Sequence, residues 1–242
     1  MITVHHLNNS RSQRILWLLE ELDLEYEVKR YERDPETMAA PEALKHVHAL
    51  GKAPVITDSV TGRTLAESGA IIEYLAERYG SVNREDAPLL PAKSAGAAGD
   101  QNVSNDVDAD YWDCKYWLHY AEGSLMTPML VGLITARLRK AKMPFFVKPV
   151  ASRIADQIDS TFTRPRLQQH FNFIDSHLAQ RDWFSAKHLT VSDIQMSFPL
   201  EAAASRGLLG KSYPNINAFV TRIHARPAYQ AALKRGGAYD FA

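Results

Sequence analysis

An α/β domain followed by an all-helical domain is the architecture this sequence predicts, and three observations carry it. Residues 1–80 alternate short apolar runs with amphipathic stretches. Residues 81–110 lose that alternation among prolines, small residues and acids. Residues 111–242 keep helical periodicity to the end. The predicted units are therefore 1–80, a connection over 81–110, and 111–242.

The elements follow in order. "ITVHHL" (2–7) reads as a strand. Residues 11–22 read as a helix, because Ile15, Leu18, Leu19 and Leu22 fall at i, i+3, i+4 and i+7 and make one apolar face. "YEVKRY" (26–31) is a second strand. A strand–helix–strand unit predicts parallel pairing with a right-handed crossover. "PEALKHVHAL" (41–50) is short and helical or irregular. "PVITD" and "RTLAE" flank Thr61-Gly62 closely enough to form a hairpin. "SGAIIEYLAERYG" is a helix stopped by Gly80. The order is βαβ-α-ββα. Beyond the connection, "YWDCKYWLHYAEGSLMTPMLVGLITARLRK" is a long helix apolar on more than one face. Residues 147–180 are a second amphipathic stretch with a break expected near Pro165. Residues 190–206 and 215–235 are the last two helical segments.

Composition excludes several classes. Hydrophobic residues are 45% and charged residues 23%, as in an ordinary globular protein. Lys plus Arg is 28 and Asp plus Glu is 28, so the net charge is zero and predicts neither a nucleic-acid nor a membrane partner. No apolar run approaches the roughly 20 residues that span a bilayer. The N-terminus lacks the basic and apolar regions of a signal peptide. The single cysteine, Cys114, can form neither an internal disulfide nor a CxxC pair. A cytoplasmic protein is the expectation.

Three stretches carry chemistry. In "SRSQR", Ser10 with Gln13 is a capping-box pattern. The same helix N-terminus, with unpaired N–H groups and partial positive charge, suits a bound anion. A thiolate there has its pKa lowered from about 8.5 toward neutrality. Arg11 and Arg14 would add positive field, whereas Ser12, inside the first turn, should lean away from the helix end. Cys114 is distant in sequence, so the thiol would come from a ligand. In "HVHALGKAPVI", Pro54 opens a strand and Ala53 is held extended before it, its backbone free to pair with an extended ligand. Lys52 and His48 could hold a carboxylate. His46 and His48 lack further ligands at suitable spacing, so no metal is expected. In "AESGAII", Ser68 is an N-cap whose helix could take a carboxylate, and Glu67 could take an ammonium. A neighbouring ammonium and carboxylate describe an amino-acid head group.

These stretches, on this βαβ-α-ββα frame, resemble the glutathione S-transferase family, in its serine-type bacterial and fungal branch that also resembles the theta class. The likeness covers nearly the whole chain. It implies a thioredoxin-like N-terminal domain, and a helical domain that contributes the electrophile site. Ser10 matches the position whose hydroxyl meets the glutathione sulfur, although Asn9 and Ser12 could each claim it. "GKAPVI" matches the G-K-x-P-x-[LI] loop, which implies a cis bond at Pro54, and Glu67-Ser68 matches the acid–serine pair at the γ-glutamyl end. Ser12, His48, Lys52, Ala53, Pro54, Glu67 and Ser68 are the implied glutathione-binding set. Thr190-x-x-Asp193 matches the family's capping box, with Leu189 and Ile194 as its hydrophobic staple.

Tyr116, Tyr120, Ser124 and Met126, on the helix after the connection, are the candidates to meet a small hydrophobic electrophile, with core packing as the other reading of each. His119 and Glu122, three apart there, argue little for acid–base work as a lone pair. Glutathione would be co-substrate, with no other cofactor, in a homodimeric detoxification enzyme. Two other readings stand beside conjugation. A glutathione-dependent peroxidase or disulfide reductase is opposed by the absence of any Cys at residues 8–14. A non-catalytic binding or assembly module is opposed by intact Ser10, Pro54, Glu67 and Ser68. The departure from the family is the long polar connection over 92–115.

Overall fold

The computed structural model describes residues 1–80, 87–93 and 105–242. Four strands, β1 (Ile2–Leu7), β2 (Tyr26–Tyr31), β3 (Val55–Asp58) and β4 (Arg63–Ala66), form one sheet in the order β2-β1-β3-β4. β1 runs parallel to β2, with Val4 opposite Val28, and antiparallel to β3, with Val4 opposite Ile56. β3 and β4 are the expected hairpin, turned at Gly62 with φ +71°. Helix α1 (Ser12–Glu21) makes the β1–β2 crossover, and α2 (Ser68–Tyr79) follows β4. Between β2 and β3 only a short 3₁₀ turn forms, Glu42–Leu44.

The helical part holds α3 (Asn105–Tyr120), α4 (Met126–Lys140), α5 (Lys148–Ile158), α6 (Arg164–Leu178), α7 (Val191–Ser205), α8 (Pro214–His224) and α9 (Pro227–Gly236). Two differences from expectation stand out. α3 starts at Asn105, inside the stretch read as connection. The break expected near Pro165 is instead a wide π-helical turn, Asp159–Thr163, that carries α5 into α6. Pro165 comes just after that turn, inside the continuous helix, where the wider π turn accommodates the N–H that proline lacks. A second π turn, Ala121–Leu125, joins α3 to α4. Such turns recur at functional sites.

One core spans both parts. Ile15, Leu16, Trp17, Leu18 and Leu19 of α1 are fully buried with Ile71, Ile72 and Leu75 of α2. Trp17 meets Tyr229 of α9 edge-on at 5.5 Å. α7 is buried on every side from Val191 to Ala203. It begins on the expected capping box: Asp193 accepts from the Thr190 N–H at 2.7 Å, the Thr190 hydroxyl at 2.8 Å and the Phe184 N–H at 2.8 Å. Leu189 and Ile194 are both buried beside it. Burial pushes the Asp193 carboxyl up to about 6.

Candidate active site

The capping box expected of Ser10 and Gln13 does not form. Arg11, not Ser10, precedes the first residue of α1, with no side-chain cap. Gln13 is drawn down into the packing of α1 on α9, where a Cβ at Gly236 would lie 2.4 Å from its Oε1. The Ser10 hydroxyl instead accepts the Ser12 N–H at 3.2 Å and lies 2.7 Å from the Ser12 hydroxyl. Ser12 does not lean away from the helix end: its hydroxyl turns back onto His6 Nδ1 at 2.8 Å, inside the protein. Asn9 (φ +49°) is committed elsewhere, with its amide bonded to the Asp240 carboxylate at 2.7 Å and its Oδ1 accepting the Asp240 N–H at 2.9 Å.

The proton positions follow from partners. His6 is 3% exposed, and burial together with the Arg30 charge pushes it down to about 4, so the ring is neutral at pH 7. The Gly236 backbone nearby acts the other way, raising it by less. A neutral ring carries one proton, and with it on Nε2 the Nδ1 atom accepts from the Ser12 hydroxyl. Ser12 gives its one proton to His6 Nδ1 at 2.8 Å or to the Leu7 carbonyl at 3.3 Å, and in both cases can accept from Ser10. Ser10 keeps its own proton, which Ser12 can accept at rest.

The two arginines of the first turn are less free than expected. Arg11 Nε donates to both Glu122 oxygens, at 2.8 and 2.9 Å. Arg14, 2% exposed, donates to Glu122 at 2.5 Å, to the Ser68 hydroxyl at 2.5 Å and to the Gln195 carbonyl at 2.6 Å. One carboxylate thus offsets part of the positive field, and Glu122 is an ion-pair partner across the two parts of the molecule. Its neighbour in the sequence pattern, His119, is exposed. Burial raises and the two arginines lower the Glu122 pKa, and the net direction is down.

At the start of α2, Ser68 is inside the helix and its hydroxyl serves Arg14, so it is not the N-cap expected. The preceding residue is Glu67, exposed, with φ +68° and ψ +114°. A non-glycine residue held there is an outlier of the kind that clusters at ligand sites. The first N–H groups of α2 beyond it have no partner within the helix. The Ala53–Pro54 bond is cis. Pro54 is buried, Ala53 and His48 are half-buried and Lys52 is exposed.

The helical candidates separate. Tyr116 is 49% exposed, whereas Tyr120 is buried, bonded to His170, with Trp117 edge-on and Phe173 tilted against it. Ser124 and Met126 are half-buried. A cavity of about 820 Å³ lies farther along, walled by Met129, Leu133, Leu167, Phe171, Leu208 and Tyr213, and none of the four candidates lines it. Aromatic groups that sequence reasoning missed stand at the α1 end. Arg11 lies over the Phe198 ring at 5.0 Å, and Phe198 meets Phe241 at 5.6 Å. The "YDFA" terminus held the signal, but only the fold brings it there, through the Asn9–Asp240 contact and the Tyr239 hydroxyl, which donates to Glu201 at 2.8 Å. Cys114 is buried, and burial pushes its thiol up to about 11. Among the described residues no three His, Cys, Asp or Glu group to hold a metal.

Comparison with known proteins accounts for this frame. A model described as the N-terminal domain of glutathione S-transferase matches residues 1–77, and one for the C-terminal domain of that family matches residues 137–235. Glutathione S-transferase 1 of Saccharomyces cerevisiae is 32% identical, over 98% of this chain and 96% of its own. Glutathione S-transferase 3 of Schizosaccharomyces pombe is 33% identical, over 97% of this chain and 88% of its own. A crystal structure of a glutathione S-transferase from Actinobacillus pleuropneumoniae superposes with a TM-score of 0.73 at 32% identity, covering 100% of this chain and 95% of that one. A sphingomonad glutathione S-transferase, solved in complex with glutathione, shares the fold with a TM-score of 0.68 at 21% identity, over 97% of this chain and 98% of that one. Its two parts and the relatives that match nearly its whole length together make this chain a member of the glutathione S-transferase family.

Proposed function

We propose that the chain conjugates glutathione to a hydrophobic electrophile, with Ser10 stabilising the thiolate. The observation that carries this is the buried row His6–Ser12–Ser10. It leaves the Ser10 proton with no fixed acceptor except Ser12, so the proton can turn to a sulfur anion at the end of α1. The thiol proton leaves to solvent. The sulfur lone pair forms the C–S bond while the electrophile's leaving group departs with its electron pair, or an adjacent atom takes the charge. Field and positioning at a helix end supply the acceleration.

Glutathione would lie across the strand ends. Its γ-glutamyl carboxylate meets the first N–H groups of α2 at Ser68, and its ammonium meets Glu67. The cysteinyl backbone pairs with Ala53 beside Pro54, and the glycyl carboxylate meets Lys52 and His48. The family membership and the glutathione-bound sphingomonad relative support this placement. The electrophile would approach over Phe198, Phe241 and Met126. No further cofactor enters the scheme, and a cytoplasmic homodimer is its setting. Thiol exchange is disfavoured by a lone cysteine that is buried and protonated.

The test is the absorbance of the glutathione thiolate against pH in the bound state. Ser10→Ala should raise the bound thiol's pKa by about one unit or more, since a hydrogen bond to a charged group is worth roughly 1.5–3 kcal/mol. Ser12→Ala should raise it less, by loosening the Ser10 hydroxyl. His6→Asn, which keeps an acceptor near Nδ1, should raise it least. A titration unmoved by Ser10→Ala would leave activation to the backbone N–H groups and the helix dipole alone. Unchanged glutathione affinity in both Glu67→Ala and Ser68→Ala would remove the γ-glutamyl assignment.

A further inference from the structure

The molecule is electrically neutral, but its charge is not evenly spread. Between residues 137 and 155 there are six cations, Arg137, Arg139, Lys140, Lys142, Lys148 and Arg153, and no acid. They flank the tip of the α4–α5 hairpin. Arg139 is held by Asp156 at 2.8 Å and Asp159 at 2.5 Å. Among the described residues the other five have no ion-pair partner.

The same tip exposes apolar side chains that the fold does not use. Phe145 is 88% and Phe146 67% exposed, at the turn itself. Val147, Val150 and Ile154 continue outward along α5 at i, i+3 and i+7 and are also exposed, while Ala151 and Ala155 face inward, buried. α5 is therefore amphipathic in the wrong sense for a helix whose only partner is its own bundle. An apolar ridge edged by lysine and arginine, with aromatic residues at the end, is the pattern of a segment that lies in the surface of an anionic bilayer.

We propose that this tip docks on an anionic lipid surface, with Phe145 and Phe146 entering the headgroup boundary and the cations meeting lipid phosphates and carboxylates. The charge pattern favours this over a second copy of the chain. A two-fold contact through the tip would set the same cations against themselves. No helix among the described residues is long and apolar enough to cross a membrane, so the contact is peripheral. The inference goes beyond the conjugation reading and does not need it. It departs from the expectation drawn from net charge, because a sum over the chain hides a local concentration.

The experiment is co-sedimentation of the full chain with vesicles of phosphatidylcholine alone and of phosphatidylcholine with phosphatidylserine. Binding is expected to the anionic vesicles, to weaken steeply with salt, and to be slight on the neutral ones. Lys142→Gln with Lys148→Gln should weaken it by roughly fivefold per lysine. Phe145→Ser with Phe146→Ser should weaken it by about tenfold or more. All four positions are exposed and stand outside the proposed glutathione site, so glutathione affinity reports that each variant is folded. Failure of the wild-type chain to bind anionic vesicles at low salt overturns the proposal. So does binding unchanged in the phenylalanine variant. A fall in particle mass in that variant without lipid would assign the tip to self-association instead. None of these outcomes bears on the thiolate titration.

Discussion

His6 shows how one buried side chain links the candidate site to the pH dependence of the whole fold. Folded, it titrates near 4; in the unfolded chain it returns to 6.5. Between those values the unfolded chain binds a proton that the folded one refuses, so stability falls as pH drops through that window. The loss from His6 amounts to about 3 kcal/mol by pH 4. Asp193 acts in the opposite sense. Its folded value near 6 lies above the ordinary 3.8, so the folded chain takes up its proton first and gains stability as pH falls. The two offset each other in the wild type. His6→Asn removes only the first. Urea unfolding at pH 4, 5, 6 and 7 should show the variant gaining on the wild type steadily below pH 6.5. A constant difference across that range would mean that His6 is not held neutral. Glu67 is the other residue whose backbone marks the site. Its left-handed φ belongs to no regular element, and nothing but its place before α2 accounts for it.

Elements were legible wherever their cause is local. The short apolar run of β1, the one-sided face of α1 and the Thr190–Asp193 box all lie within a few residues of themselves, and each stands where its pattern predicts. The Ser10–Gln13 box has the same local signature, but Gln13 is claimed by the close approach of α9 at Gly236, from the far end of the chain. Ser12 and His6 escaped for a related reason: a strand and a turn hide a contact that only the fold creates. Arg14 is the clearest long-range case. It ties α1 to Ser68 of α2, to the Gln195 carbonyl of α7 and to Glu122 between α3 and α4. Arg14→Leu leaves a buried carbonyl and a buried hydroxyl without their donor and Glu122 with Arg11 alone. It should cost about 3–5 kcal/mol in urea unfolding. Arg14→Lys should recover little, because one ammonium cannot reach along the fork that a guanidinium spans. A loss under about 1 kcal/mol for Arg14→Leu would show that the contacts between the two parts are carried by apolar packing.

At the scale of the molecule, the question is which face is covered. Two exposed apolar regions are candidates, and their charges differ. The α4–α5 tip carries an excess of cations, of which, among the described residues, only Arg139 is answered by acids, Asp156 and Asp159. The α3 face carries Trp112, 57% exposed, and Tyr116, 49% exposed, one turn apart. Beside them Lys115 pairs with Glu73 of α2, so the local charge is balanced. A two-fold contact needs a patch that tolerates its own copy, and the α2–α3 face meets that condition where the tip does not. Obligate homodimer interfaces bury roughly 2,000 Å² or more. Two helices with an aromatic stripe at their centre match the composition of such interface cores. The expected particle therefore has twice the mass of the 27.2 kDa chain, and both tips remain outside the interface. Trp112→Glu with Tyr116→Glu should halve that mass in sedimentation equilibrium, while Phe145→Ser with Phe146→Ser should leave it unchanged. A 27.2 kDa particle at micromolar wild-type concentration would remove the dimer. A dimer that survives both aromatic substitutions would move its interface off α3.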